Sequence, residues 1–320
     1  MRTHLPLLAT LSLIFVSVPG IPTPGPFHFP HSTPHQSPAP ASAPGIQPPR
    51  TQSPAPDILS PRTQSPSRQT ETQTPGIGTL LSKAQYEQLF PHHHPIYTYQ
   101  ALITASSAFP LFAGEGDLET RKRELAAFFA HIAHETTSGW PGAKGGPYGW
   151  GLVYTEEQAC LDGHCTQYNT GGTSPYKPAA GKSYFGRGPL QLTYAYNYGL
   201  AGDELQLPLL AKPELVSHDG VIAFKTALWF WMRAQKPKPS CHEVICGKWQ
   251  PTPEDLRLGR KPGFGMTINI INGGVECNNN TPAVKDLRLE RIGFYQRFAA
   301  LLEVSTGQDC DCAGMGTYGN

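Results

Sequence analysis

A glutamate stands near the end of a long helical pattern in this chain of 320 residues. Across residues 118–136, apolar side chains recur at helical spacing, at Leu125, Phe128, Phe129 and Ile132. Glu135 continues the edge of that stripe, so its carboxyl group is either desolvated by the core or exposed at the helix end. Desolvation would favour the neutral form, which a general acid needs. His131 and His134 precede it, but the order His-x-x-His-Glu matches neither zincin motif, so we expect neutral supporting histidines and no metal.

A single acid cannot complete a hydrolysis, and two further carboxylates follow in a predicted loop or short strand. Glu156 and Glu157 are adjacent there, and the spacing does not choose between them. Two carboxyl groups about 6.5–9.5 Å apart, on either side of a glycosidic bond, leave room for a water molecule and lead to inversion at the anomeric carbon. The pattern therefore permits acid and base hydrolysis of a sugar chain.

A charged residue interrupts a second apolar stripe near the end of the chain. The stripe consists of Leu287, Phe294, Phe298 and Leu301, and Arg291 falls in its middle. A buried arginine without a partner would cost several kcal/mol, and Glu276, in a predicted turn over residues 272–277, is the candidate partner. The alternative is an arginine at the core edge whose head reaches water. We favour the ion pair.

Polar and aromatic side chains alternate with glycines in residues 184–199. Gln191, Thr193 and Asn197 recur there at short intervals among several tyrosines. Amides and hydroxyls bind sugar hydroxyls, and aromatic rings pack on the C–H faces of sugars, as in other apolar clefts with a few polar groups. The alternative is a tyrosine-rich helix end that packs in the core.

The elements that must position these residues are mainly helical. Amphipathic patterns predict helices over residues 82–89, 98–108, 118–136, 219–233 and 283–304, whereas runs with a period of two are few. We predict one mainly α domain of two lobes over residues 79–320.

The first 78 residues carry no such patterns. Residues 1–20 contain an apolar run too short to span a bilayer behind Arg2 and His4, which predicts a cleaved signal peptide, a secreted chain and no membrane attachment thereafter. Residues 21–78 hold 15 of the 33 prolines and repeat Pro-Arg-Thr-Gln-Ser-Pro, so we expect a spacer or stalk without a core. The net charge of +1 argues against nucleic acid as a partner.

Seven cysteines agree with an oxidising compartment, and none precedes residue 160. Spacing suggests that Cys160 pairs with Cys165, that Cys241 pairs with Cys246, and that Cys277 pairs with either Cys310 or Cys312. One cysteine is left over. No Cys-x-x-Cys pair is present, so we expect no zinc site.

Five ordered stretches resemble the family 19 glycoside hydrolases, the plant-type endochitinases, over about residues 80–312. The stretches are Phe128–Trp140, Tyr184–Thr193, Ala227–Met232, Gly263–Gly265 with Ile270–Cys277, and Arg291–Tyr295. The resemblance implies a lysozyme-like fold with a substrate cleft between two lobes. It also implies hydrolysis, with inversion, of β-1,4 bonds between N-acetylglucosamine units in chitin or chitooligosaccharides. We expect a monomer without a cofactor.

The resemblance also assigns roles to residues. Glu135 matches the general acid, Glu157 the general base, and Thr193 a hydroxyl that holds the attacking water. Arg291 and Glu276 match a polar network that links the two carboxylates. The positions that match sugar-binding residues are His134, Trp150, Gln191, Tyr196, Asn197, Lys238 and Asn272.

The chain also departs from the plant pattern, which keeps two other functions open. It has no cysteine-rich chitin-binding module, and Tyr176 stands where a sugar-stacking tryptophan is common. The rivals are a chitin-binding protein without turnover and a hydrolase of peptidoglycan, which shares the β-1,4 backbone.

Overall fold

Ten α-helices build the part of the chain that the computed structural model describes, which is residues 76–161, 165–169 and 174–318. In chain order, α1 to α10 are Lys83–Leu89, Tyr99–Ser106, Leu118–Glu135, Ala195–Leu205, Leu215–His218, Gly220–Met232, Cys241–Ile245, Pro253–Arg257, Phe264–Glu276 and Pro282–Leu301. Within these residues there are isolated β-bridges and no strand. The predicted signal peptide, and the spacer up to residue 75, lie outside the described residues.

The five predicted helices are confirmed as α1, α2, α3, α6 and α10, with ends within three residues of those expected. Side-chain caps fix several of the starts. Asp117 accepts a hydrogen bond from the backbone N–H of Thr120 at 2.8 Å at the start of α3, and Asp219 caps α6 in the same way. Pro282 is the first residue of α10, where its missing N–H costs nothing.

The helices α4, α5, α7, α8 and α9 were not predicted. Four of them are eleven residues or shorter, too short to show a clear period. α9 includes Asn272, Gly273 and Gly274, which were expected to form a turn before Glu276. The structure instead continues the helix through these residues with a kink at Asn272, where φ is −141° and ψ is 30°. The expected turn is therefore wrong, and Glu276 is the last residue of a helix.

Helix α3 lies at the centre of the larger of two hydrophobic cores. Every residue from 124 to 134 is buried, as expected for a helix surrounded by others, and α10 packs along it. The second core gathers around α4 and includes Tyr184, Tyr198, Leu209 and Trp229. The mainly α fold with two lobes is thus confirmed. No helix among the described residues has both the length and the apolar character to cross a bilayer.

The disulfides agree with only part of the expected pairing. Cys160 bonds Cys165, and Cys277 bonds Cys312, one of its two predicted partners. Cys310 is free. The predicted pair of Cys241 and Cys246 is wrong, because both thiols are free. Cys241 begins α7 and Cys246 follows its end, so the five-residue separation turns their side chains to different sides of one helix.

Candidate active site

Glu135 is the last residue of α3, and its side chain is only 6% exposed. Its Oε1 accepts a hydrogen bond from Nη2 of Arg291 at 2.5 Å. The sequence left open whether this glutamate is buried or solvated, and the structure places it in a mostly desolvated position beside a fixed cation.

Arg291 lies on α10 and is fully buried. Its Nε and Nη2 donate to the carboxylate of Glu276 at 3.0 and 2.7 Å, so the predicted ion pair is confirmed. Burial acts to raise the pKa of Glu276, but the charge and hydrogen bonds of Arg291 outweigh it and hold that pKa below the usual range. One arginine thus bridges two carboxylates, Glu135 and Glu276, from two different helices.

A neutral histidine is the third side chain that contacts the guanidinium of Arg291. Nη1 of Arg291 donates to Nδ1 of His131 at 3.1 Å, and Nε2 of His131 lies 2.8 Å from the hydroxyl of Thr267. That hydroxyl in turn donates to the carbonyl of Phe264 at 2.6 Å. The chain of donors fixes the proton of His131 on Nε2. Burial and the neighbouring guanidinium lower the pKa of His131 well below its usual value, as a supporting core histidine requires.

Asn272 and Lys238 border this network. At the kink of α9, the side-chain amide of Asn272 donates to Oε1 of Glu276 at 2.8 Å. The ammonium of Lys238 donates to the carbonyl of Ile270 at 3.3 Å, and burial lowers the pKa of this lysine. The two predicted sugar-binding residues are therefore brought to the same part of α9.

Glu157 is held by neutral donors. The hydroxyl of Tyr168 donates to its Oε1 at 2.9 Å, and the backbone N–H of Gly186 donates to its Oε2 at 3.1 Å. The backbone N–H of Glu157 in turn donates to the carbonyl of Gly186 at 2.8 Å. Burial and the charge of Glu157 raise the pKa of Tyr168, so this phenol stays a donor.

Glu156 has a different environment from its neighbour. Its Oε1 accepts from Nε of the buried Arg187 at 3.0 Å and from the hydroxyl of Ser217 at 2.8 Å. Because Arg187 is buried and Ser217 binds the same carboxylate oxygen, Glu156 stabilises the local fold. The geometry thus separates two glutamates that the sequence could not.

Backbone hydrogen bonds join the segments that carry the two glutamates. The carbonyl of Thr136 accepts from the N–H groups of Val153 and Tyr154, both at 3.1 Å, and its hydroxyl accepts from the N–H of Leu152 at 2.8 Å. The N–H of Ser138 donates to the carbonyl of Trp150 at 3.1 Å. The segment that follows Glu135 is thereby tied to the segment that leads to Glu157.

Residues 184–197 fold into tight turns before and into α4. Gln191 has a φ of 47°, and its side chain donates to the carbonyl of Gly188 at 2.9 Å. The hydroxyl of Thr193 donates to the carbonyl of Gln191 at 2.5 Å, and the amide of Asn197 donates to the carbonyl of Thr193 at 2.9 Å. Burial raises the pKa of Tyr196 to about 12, and the ring of Tyr196 stacks on that of Tyr194. The predicted polar cluster is thus brought together.

Trp150 and His134 make contacts with other parts of the structure. The indole of Trp150 stacks on His92 with ring centres 3.8 Å apart, its N–H donates to the carbonyl of Lys144, and Trp140 stands 6.0 Å away with half of its surface exposed. These rings form an accessible aromatic surface. His134 is buried, with Nδ1 2.8 Å from a carboxylate oxygen of Glu290 on α10.

Sequence reasoning missed two residues that hold Glu157, Tyr168 and Gly186, and one that holds Glu156, Arg187. Arg187 and Gly186 lie in a stretch that was considered only for sugar binding, and a charged residue between two glycines was the available signal for Arg187. Tyr168 has no periodic pattern around it that could have placed it beside Glu157.

The helical, lysozyme-like fold places this chain among the glycoside hydrolases. The chain belongs to glycoside hydrolase family 19, because residues 80–312 match the family model for class I chitinases. The predicted resemblance is confirmed over the same range.

Relatives and solved structures agree with this assignment. Endochitinase 1 of Solanum tuberosum is 44% identical over 266 residues, which cover 78% of this chain and 81% of the relative. Inactive chitinase-like protein 1 of Hevea brasiliensis is 46% identical over 252 residues, which cover 76% and 77%. The crystal structure of chitinase C from Streptomyces griseus matches with a TM-score of 0.58 and 36% identity, covering 73% of this chain and 81% of the other. The class IV chitinase of Zea mays matches with a TM-score of 0.57 and 33% identity, covering 74% and 100%.

Proposed function

We propose that this protein is a secreted, monomeric endochitinase that hydrolyses β-1,4 bonds between N-acetylglucosamine units with inversion. Glu135 acts as the general acid and Glu157 as the general base. The observation that carries the proposal is the contrast between them: Glu135 lies in a buried charged network, whereas Glu157 accepts hydrogen bonds from a phenol and a backbone N–H. Two carboxyl groups in different environments suit two opposite proton-transfer roles.

The charge balance around Arg291 supports the acid role of Glu135. One guanidinium faces two carboxyl groups, so a single proton on either of them leaves the buried group neutral. Glu276 is fully buried and accepts three hydrogen bonds from Arg291 and one from Asn272. Glu135 is the more accessible of the two carboxyl groups, so it is the one placed to donate a proton to the oxygen of the leaving sugar.

The base role of Glu157 follows from its donors. Tyr168 and the N–H of Gly186 orient the carboxylate without cancelling its charge, so it can still accept a proton from water. Thr193 already donates its hydroxyl proton to a backbone carbonyl. Its oxygen is then left as an acceptor that orients the same water for attack on the anomeric carbon.

The remaining predicted residues supply contacts for the sugar chain. The amides of Gln191, Asn197 and Asn272 and the ammonium of Lys238 are half-buried groups suited to sugar hydroxyls and acetamido carbonyls. Trp150 offers an aromatic face. His134 has no such accessible group, and it supports the end of α3 from the core.

The test determines the anomeric configuration of the first products released from chitin hexamer. Proton NMR spectra are recorded before mutarotation mixes the two anomers. We expect the α-anomer from a β-linked substrate. Products of β-configuration would contradict inversion. Bacterial cell wall is digested in parallel, and faster release there than from chitin would favour the peptidoglycan rival. Tight hexamer binding without products would identify a non-hydrolysing protein, as the name of the Hevea relative suggests for that protein.

A further inference from the structure

A second cluster of reactive side chains lies where α7 meets α3, away from the candidate active site. Nδ1 of His242 lies 2.7 Å from Oε1 of Glu124, and Sγ of Cys246 lies 3.6 Å from both Oε2 of Glu124 and Nδ1 of His242. Glu124 and His242 are buried, and Cys246 is half-buried with a free thiol. A sulfur, an imidazole nitrogen and a carboxylate oxygen thus converge on one small volume.

The other nitrogen of His242 has its own carboxylate. Nε2 lies 2.7 Å from Oε2 of Glu115, which also forms an ion pair with Lys248. Both ring nitrogens therefore face carboxylate oxygens at hydrogen-bonding distance, so His242 is an imidazolium in this arrangement. Glu124 is held in place from behind by the N–H groups of Ala113 and Trp231.

We propose that Cys246, His242 and Glu124 bind a divalent ion of the zinc type. Zinc takes thiolate sulfur at about 2.3 Å, imidazole nitrogen at about 2.0–2.1 Å and carboxylate oxygen at about 2.0–2.2 Å. Tetrahedral angles at those lengths place sulfur and nitrogen about 3.5 Å apart, close to the separation of Sγ and Nδ1. The separation of Sγ from Oε2 of Glu124 also suits such angles, whereas Nδ1 and Oε1 of Glu124 have to move apart when the ion binds. Water completes the coordination on the exposed side of Cys246.

Glu115 performs the positioning that such a site needs. A histidine that binds a metal through one nitrogen usually donates its other N–H to a carboxylate, which fixes the tautomer and the orientation of the ring. Glu115 lies at that place before any ion binds, with Lys248 balancing its charge.

Binding exchanges protons for the ion without changing the buried charge. The thiol of Cys246 and Nδ1–H of His242 each release one proton, and the ion brings two positive charges. Before the exchange the charges of Glu115, Glu124, His242 and Lys248 sum to zero, and the sum is again zero once Cys246 is a thiolate and His242 is neutral. The cluster therefore accepts the ion without an uncompensated buried charge.

The bound ion would stabilise the fold, because its ligands come from two helices. Glu124 precedes the candidate acid by eleven residues on α3, which is about 16 Å along a helix axis. The ion would join α7 to the helix that carries Glu135. The sequence pattern did not reveal this site because His242 and Cys246 stand 118 and 122 residues from Glu124.

The test uses the untagged secreted protein, first stripped with chelator and then loaded with Co²⁺ or Zn²⁺. We expect a thiolate-to-cobalt charge-transfer absorption and one zinc per chain that survives gel filtration. Cys246→Ser should remove both, and Cys310→Ser, which changes another half-buried free thiol, should remove neither. Glu115→Gln should weaken zinc binding about 10–100-fold, and Glu119→Gln should leave it unchanged.

Two results would overturn the proposal. One is a wild-type protein that binds cobalt but shows no thiolate-to-cobalt charge-transfer band. This measurement does not depend on whether any variant folds. The other is a folded Cys246→Ser protein that retains the same zinc content as Cys310→Ser, which would assign the metal to surface histidines such as those at 92–94.

Discussion

Nη2 of Arg291 donates to Oε1 of Glu135 although the two residues stand 156 positions apart in the chain. The contact joins the end of α3 to the middle of α10, and both side chains are almost entirely removed from water. The proposed acid is therefore positioned by a charge from another helix rather than by its own sequence neighbours, and the variants below separate positioning from chemistry.

Glu135→Gln should lower hexamer hydrolysis by at least about 10²–10⁴-fold and leave hexamer affinity nearly unchanged. The amide keeps the shape of the side chain but cannot donate a proton to the leaving oxygen. Initial rates and calorimetric binding give the two readings. Glu119→Gln, on the exposed first turn of the same helix, is the control. Retention of more than a tenth of the rate would remove Glu135 from the acid role.

Glu157→Gln and Glu156→Gln form a matched pair of adjacent changes. The first should lose most of the rate with little change in melting temperature, because neutral donors hold that carboxylate. The second should lose stability and keep most of the rate, because Arg187 loses its charged partner. Rates and thermal melts are measured on both proteins. If Glu156→Gln loses most of the rate and Glu157→Gln keeps it, Glu156 is the base.

Arg291→Ala should destabilise the protein by about 3–5 kcal/mol and also reduce activity, since Glu276 would stay buried without its partner. Arg291→Met combined with Glu276→Gln removes both charges at similar volume, so much of the stability should return while activity does not. The check is a double-mutant cycle of Arg291→Met and Glu276→Gln, singly and together, followed by urea unfolding and hexamer hydrolysis. Strictly additive stability changes would mean that the pair contributes no coupling energy.

Acid should destabilise the folded state in two steps. His131 has a lowered pKa, so the unfolded chain gains a proton below about pH 6.5 that the folded chain does not take up. Glu276 also has a lowered pKa, so its contribution is present above the unfolded value of about 4.5 and is lost as the pH falls through the lower folded value. Urea unfolding across this pH range should show both losses in the wild type. The double variant Arg291→Met with Glu276→Gln should keep the first loss and show a smaller second loss, because other carboxylates with a lowered pKa, such as Asp255, remain.

Removal of residues 21–75 should leave melting temperature and hexamer activity unchanged, because a segment of this composition cannot form a core. Removal of residues 21–78 should cost about 2 kcal/mol or more. Ile77, inside the segment predicted as a spacer, is 2% exposed and packs in the larger core. Equal melting temperatures for the two truncated proteins would show that this contact contributes nothing. A lower one after the shorter deletion would show that the spacer docks on the domain.

The ion pair of Arg291 was predictable because a charge inside an apolar stripe has to find a partner, and Glu276 lay in reach. The choice between Glu156 and Glu157 was not predictable. It depends on Arg187, 31 residues from Glu156, which the fold brings to one glutamate and not the other. Patterns within a few residues of Glu156 could not predict that contact.

Two expectations failed because tertiary packing overrode a local signal. Asn272, Gly273 and Gly274 favour a turn, yet α9 continues through them while Asn272 donates to Glu276 within the helix. The close spacing of Cys241 and Cys246 suggested a disulfide loop, but the residues between them are helical. Spacing indicates a disulfide only where the chain between the two cysteines is free to bend back.

The hydrogen bonds of Thr136 and Ser138 to residues 150–154 have a consequence for how this enzyme class can diversify. They close the base of the loop that runs from residue 139 to 149, so the distance between the segments bearing Glu135 and Glu157 is set below the loop rather than by its length. Changes in the exposed part of this loop would alter the surface around Trp140, whereas Tyr148 packs against Phe294 of α10 and holds the end of the loop in place. Only the exposed part of the loop can therefore vary without disturbing the helix that carries Arg291.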